Sequence, residues 1–264
     1  MIKTHPTLKV AAVLASSLFT NICYADAEIL KILATDAAMS NSNDTLKKIS
    51  VKSLTKLNLQ SPEFSRNDAK LLLQDTAKTM FSKINENHND IVLNPGKASE
   101  LFVEFLEPHI NFDIIAKIVT GRNNWKTASP HEKNAFKLAY RNMLLRTYSR
   151  ALSDFLGKND EKLTPDIMTF YTEDKSGNTS NESRVIIYSN VHNNDSKSIK
   201  VKYYMYRTRR NFQPSWKVYN VYIDGFSVID AHRKSYKKYI DASGLNSLIA
   251  EIQRKNHTQT AEAN

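Results

Sequence analysis

From Asp68 onward, Ala69, Leu72, Leu73, Thr76, Met80, Phe81 and Ile84 recur every three or four positions, which predicts one amphipathic helix. Asn94-Pro95 opens a second, with Leu101, Phe102, Phe105 and Leu106 on its buried side and Pro108 as its stop. A third is short: Asp113 caps it, Ile114, Ile115 and Ile118 pack, and Gly121 ends it. Ser129-Pro130-His131-Glu132 combines an N-cap hydroxyl, proline at the first helical position and a glutamate placed to return the capping bond. A long helix begins there. Its inward stripe is Phe136, Ala139 with Tyr140, Met143 with Leu144, Thr147 with Tyr148, Ala151 with Leu152, and Phe155; Lys133, Lys137, Arg141, Arg150 and Asp154 face outward, and Gly157 closes the helix.

After Gly157 the period changes from helical to alternating. Strands are predicted near Ile167–Tyr171, Arg184–Val191, Ile199–Thr208 and Trp216–Ile223, joined by polar stretches suited to hairpin loops. Antiparallel pairing follows, with Val185, Ile187, Ile199, Val201 and Tyr203 on one apolar face and Lys200 and Lys202 on the other. The stretch Trp216–Arg233 organises the rest. Its strand passes through Asp224-Gly225 to Ser227, a candidate N-cap for a helix carrying Val228, Ile229, Tyr236 and Ile240. A last helix holds Leu245, Leu248, Ile249 and Ile252. The predicted class is α+β: a curved antiparallel sheet of about four strands, helices on its concave side in an NTF2/cystatin-like arrangement, and a helical N-terminal half.

The ends read differently. Lys3 and Lys9, the apolar run Val10–Phe19, and Cys23-Tyr24-Ala25 or Ala25-Asp26-Ala27 form the pattern of a cleavable Sec-type signal peptide over residues 1–27, and hence periplasmic localisation. Residues 28–66, rich in Ser, Asn, Thr and Lys with broken apolar spacing, are expected to be a flexible extension; 67–254 form the folded domain and 255–264 a disordered tail. Cys23 is the only cysteine. Bulky Ile22 before it argues against lipidation, and its loss would leave a domain held together by its core alone. The formal charge is +10. For an exported chain, that excess points to anionic lipid headgroups rather than nucleic acid. The densest basic run, Arg207-Thr208-Arg209-Arg210, reads as a solvated loop.

No G-x-S-x-G, H-E-x-x-H, Gly-rich phosphate loop or Cys/His metal pattern occurs, so no catalytic residue, metal site or cofactor is assigned and no enzyme is expected. Asp230 and His232 stand two positions apart and so on different sides of a helix, which argues against an acid/base set. What remains is a large stock of rings, 12 Tyr, 11 Phe and 2 Trp. Periodicity alone leaves open whether they fill a core or line a cavity. Trp125 and Trp216 read as packing anchors.

Phe112-Asp113 through Gly121 and Trp125, then Ala128-Ser129-Pro130, Phe136, Leu144-Leu145, Thr147-Tyr148 and Ala151-Leu152, follow one another in a familiar order. So do Trp216-Lys217-Val218-Tyr219-Asn220-Val221, Asp224-Gly225-Phe226-Ser227, Arg233 and Gly244-Leu245. From about Asp68 to Arg254 the chain resembles the MlaC family, also called the toluene-tolerance auxiliary family: periplasmic phospholipid-binding components of the Mla ABC transport system. It departs from the family pattern at Asn220 and Asp224, where Asp and Glu are usual, at Ala231-His232 in place of an Asn-Tyr pair, and at Tyr236 in place of Phe.

The resemblance implies a carrier whose cargo is a phospholipid. It implies a monomer that makes transient contacts with an outer-membrane lipoprotein–porin complex and an inner-membrane MCE-domain ABC transporter, and so maintains outer-membrane lipid asymmetry. At about 0.8 kcal/mol per methylene, roughly thirty acyl methylenes in water cost ~24 kcal/mol, so such a carrier needs an apolar cavity. The cavity is expected between the long helix, the concave face of the sheet and the helix after Ser227. Its expected lining is Phe105, Ile118, Phe136, Met143, Leu144, Tyr148, Val201, Tyr203, Val218, Val228 and Ile229. The alternatives are a small periplasmic enzyme or another binder of small hydrophobic ligands on the same fold.

Overall fold

A computed structural model describes residues 65–173, 183–192, 198–210 and 213–261; the expected signal peptide, most of the extension and residues 262–264 lie outside them. Helix α1 (Arg66–Glu86) starts at a capping box. The Ser65 N–H donates to Asp68 Oδ2 at 2.7 Å and the Asp68 N–H to Ser65 Oγ at 3.3 Å. Short α2 (His88–Leu93) buries Ile91, and α3 (Pro95–Leu101) opens at Asn94, which accepts from the Gly96 N–H. The helix predicted to run from Asn94 to Pro108 is not uniform. It widens into a π turn, Phe102–Leu106, and then tightens into a 3-10 turn, Glu107–His109. Pro108 is the cause: its missing N–H and its ring are incompatible with a straight helix through the carbonyl of Glu104.

Helix α4 (Phe112–Thr120) is capped by Asn111, which accepts from the Ile114 N–H at 3.1 Å, so the cap falls two residues before the predicted Asp113. The Asn111 N–H is itself bonded to the Val218 carbonyl at 2.8 Å, which holds the cap in place. After α5 (Arg122–Thr127) comes the long helix α6 (Pro130–Leu156). Its capping box is as the sequence predicts, with the Ser129 N–H on Glu132 Oε2 at 2.8 Å and the Glu132 N–H on Ser129 Oγ at 3.2 Å.

A 3-10 turn, Pro165–Ile167, leads into an antiparallel meander of β1 (Met168–Tyr171), β2 (Arg184–Val191), β3 (Ile199–Arg210), β4 (Gln213–Ile223) and β5 (Phe226–Ser227). The predicted sheet gains a fifth, two-residue strand. Asp224 (φ 46°) and Gly225 (φ 89°) both adopt positive φ, the requirement of a two-residue hairpin turn, so β4 folds back on itself before the last helix begins. Opposite Tyr204 and Met205, β4 carries an extra residue, Tyr219, and such a bulge bends the sheet.

Helix α7 (Val228–Ala261) starts at Ser227, whose Oγ accepts from the Asp230 N–H at 3.1 Å and donates to Asn220 Oδ1 at 2.7 Å. It is kinked at Gly244 (φ 82°), so the two helices predicted after Ser227 meet end to end. It continues to Ala261, past position 255 where a disordered tail was expected. The Arg146 guanidinium donates to the Lys255 carbonyl and Asn256 Nδ2 to the Ala139 carbonyl at 3.1 Å, tying this end to α6.

Helices α1, α4 and α7 pack on the sheet, whereas α6 packs mainly on α3 and α7, and also on α2 and α4. One continuous apolar core joins the layers. No described helix is long and apolar enough to cross a membrane.

Candidate functional site

The buried stripe of α1 does not close completely on the sheet. Leu73, Thr76, Ala77, Met80, Phe81 and Ile84 form one wall of a pocket. The second wall is the irregular helix end: Phe102 and Leu106 from the π turn, then His109 and Ile110. The sheet supplies Met168 and Phe170 of β1, Tyr203 of β3 and Val218 of β4. The atom-free space is about 700 Å³ when the open mouth is counted, but the centre of a water-sized sphere can occupy only about 70 Å³ of it. The pocket is therefore a narrow slot.

Each wall is tied to its neighbours. At the C-terminal end of α1, Asn85 Nδ2 donates to the Leu163 carbonyl at 2.8 Å and accepts the Leu163 N–H on Oδ1 at 2.9 Å. Just beyond, His88 Nε2 shares a 3.3 Å hydrogen bond with the Asn159 carbonyl. At the other end Arg66 Nη1 donates to the Glu173 carbonyl at 3.4 Å. The second wall is joined to β4 through the Asn111–Val218 bond and the Ile110–Val218 bridge, and to α6 by the Arg141 guanidinium. Arg141 Nε donates to Glu107 Oε1 at 2.7 Å while its Nη2 bonds the other carboxylate oxygen, a planar two-point grip.

None of the lining residues is Asp, Glu, Lys or Arg; its polar side chains are Thr76, His109 and Tyr203. The Thr76 hydroxyl is consumed by the Leu72 carbonyl at 2.7 Å, inside α1. Tyr203 Oη shares a 3.4 Å bond with Ser189 Oγ, and burial pushes its phenol up to about 12, so it stays neutral. Two methionines, Met80 and Met168, give the walls flexible, polarisable surface. Such a lining suits an unbranched apolar chain.

The MlaC protein family matches residues 74–254. The chain belongs to the MlaC family. Among its relatives, the intermembrane phospholipid transport system binding protein MlaC of Haemophilus influenzae is 21% identical over 184 residues, covering 70% of this chain and 80% of that protein. A solved phospholipid-binding protein from Ralstonia solanacearum, determined in complex with a phospholipid, superposes with a TM-score of 0.57 at 19% identity, over 72% of this chain and 97% of that one. That likeness shows the α+β fold with its curved antiparallel sheet.

Of the residues the sequence nominated for the lining, Tyr203 and Val218 border the pocket. Phe105, Ile118 and Met143 are half-buried against the core, and Phe136, Leu144, Tyr148, Val201, Val228 and Ile229 are buried within it. The interface of α6 with α7 is filled with rings. Phe136 stacks on Tyr140 at 5.7 Å, both meet Tyr236 edge-on at 6.4 and 6.2 Å, and His232 lies parallel to Tyr236 at 5.5 Å. Tyr140 Oη and His232 Nδ1 share a 2.6 Å hydrogen bond, and Tyr236 Oη donates to Met143 Sδ at 3.3 Å. The pocket described above lies beside α1. Its α1 wall was visible in the sequence only as a helical stripe, and nothing in that stripe set it apart from the stripe of α6.

Proposed function

We propose that this chain is a phospholipid carrier that works by holding acyl chain in the slot between α1, the Phe102–Ile110 segment and the sheet. The observation that supports this most directly is the lining: mostly apolar, without Asp, Glu, Lys or Arg, with His109 as its one imidazole, and open at one side. Transfer of a tail from a bilayer to such a wall exchanges one apolar surrounding for another, so uptake and release are both accessible. The charged headgroup stays in water, because burying it without partners costs more than the tail gains at the mouth. Membership of the MlaC family and the phospholipid named for both relatives support the same reading.

The finer parts of the proposal follow from the family. The carrier acts in the periplasm after removal of residues 1–27, as a monomer, between an outer-membrane lipoprotein–porin complex and an inner-membrane MCE-domain ABC transporter, and thereby maintains outer-membrane lipid asymmetry. Protein purified without detergent is expected to carry one phospholipid per chain in native mass spectrometry. Ala77→Asp, which sets a carboxylate on the pocket side of α1, is expected to empty it. Ligand-free wild-type protein, or an Ala77→Asp variant as fully loaded as its parent, would refute the reading.

A further inference from the structure

We infer that the outer face of the sheet is a docking surface for an anionic phospholipid bilayer, separate from the slot and independent of what the slot holds.

Alternation creates that face. Strand residues that turn inward, such as Val185, Val201 and Val218, are buried in the core, and their neighbours in sequence turn away from the helices. Register then sets the outward residues in rows. Tyr171 stands opposite Tyr188, Tyr188 opposite Lys202, and Lys202 opposite Tyr222; farther along, Tyr204 faces Ile186, and Tyr206 lies between Arg184 and Lys217. Arg184, Lys200 and Lys202 are exposed, while Lys217 and the tyrosines are half-buried. None of the five strands contains Asp or Glu. Three carboxylates stand at the rim, each engaged: Glu173 accepts from Tyr188 Oη at 3.0 Å, Asp230 from Tyr222 Oη at 2.5 Å, and Asp224 from the Lys200 N–H at 3.0 Å.

The chemistry of the face selects its partner. Four cations, with no acid on the strands between them, attract a negatively charged surface. Tyrosine settles at the headgroup level of a bilayer, with its ring against the apolar boundary and its hydroxyl in water. A single-stranded nucleic acid also seeks cations and rings, but its bases need ring faces on which to stack. Here the rings are spent on one another. Tyr171 lies against Tyr188 at 5.5 Å with 20° between the planes, and Tyr204 packs on Tyr219 and Tyr222 at 6.3 and 5.1 Å. Lys202 Nζ sits 5.6 Å over the Tyr188 ring. The slot is lined from the opposite face, by Met168, Phe170, Tyr203 and Val218. Docking and cargo binding therefore use different side chains of the same strands.

The test sediments the purified chain with vesicles of phosphatidylglycerol and phosphatidylethanolamine in equal parts, and with vesicles of phosphatidylcholine alone; a thirty-nucleotide oligothymidylate is titrated in the same buffer. Binding to the anionic vesicles is expected to be about tenfold or more the stronger at 0.1 M salt. It should be lost at 1 M, where the screening length contracts from about 10 to about 3 Å. At about fivefold per cation, Lys202→Gln combined with Lys217→Gln should weaken it about 25-fold while the chain keeps its cargo in native mass spectrometry. Lys234→Gln combined with Lys238→Gln removes the same charge from the exposed side of α7 and should change it by less than about threefold. Arg184→Gln, at the exposed start of β2, gives a separate reading with about fivefold loss. Equal binding to the two vesicle types, equal losses from the two double variants, no loss from Arg184→Gln, or oligothymidylate bound as tightly as the anionic vesicles overturns the inference. Anionic-vesicle binding by a chain whose slot is empty supports it while refuting the carrier reading.

Discussion

Ala77 sits half-buried on the pocket side of α1, one helical turn from both Leu73 and Phe81. Leucine at this position adds three carbons to the slot while preserving helix propensity. Three tail methylenes must then leave the wall, and at about 0.8 kcal/mol each this costs ~2.4 kcal/mol, a roughly fifty-fold loss of lipid affinity. The empty protein responds in the opposite direction. Filling unoccupied apolar space stabilises it by about 0.5–2 kcal/mol, because the added carbons gain contacts without displacing packed neighbours. Lipid titration followed by native mass spectrometry gives the first quantity, and urea denaturation of the delipidated protein gives the second. Ala250→Leu, exposed on α7, serves as a control that should move neither. Weaker binding with a more stable fold is the expected pair of results. Unchanged affinity would show that the tail does not lie along α1. Loss of affinity together with loss of stability would show that Ala77 faces packed side chains rather than open space.

His232 makes a second prediction. Burial holds its imidazole down at about 4, against an ordinary value of about 6.5 when unfolded. The unfolded chain therefore takes up the proton first, and stability falls as pH drops from about 6.5 to 4, by about 3 kcal/mol in all. His232→Asn retains an acceptor for Tyr140 but cannot titrate, so denaturation midpoints across this window should lose that part of their slope; an identical slope would refute the assignment. Asn85→Ala removes both bonds to the Leu163 backbone and is expected to cost about 1–3 kcal/mol, with faster hydrogen exchange in the last turns of α1. An unchanged denaturation midpoint would show that this end of α1 is held by other contacts.

The sequence by itself determined the longer elements and their order. Ser129 and Glu132 specify the start of α6 through bonds that span only three residues, and the alternation of β2 and β3 specifies which face of the sheet is apolar. Local rules also misplaced some details. Pro108 was read as a clean stop, whereas the chain relieves its strain earlier by widening at Phe102–Leu106, because the next segment must reach β4 to bond Val218. Tertiary structure alone decided where space is left. The stripes of α1 and α6 look alike as patterns of apolar residues. Yet α6 meets α7 through Phe136, Tyr140, His232 and Tyr236, whose rings mesh, while Thr76 and Ala77 of α1 border a pocket that Met168, Phe170, Tyr203 and Val218 of the sheet line from the other side. A cavity is the volume that side chains from distant parts of the chain fail to fill. No local periodicity encodes it, since it depends on pairings such as Tyr140 with His232, 92 positions apart.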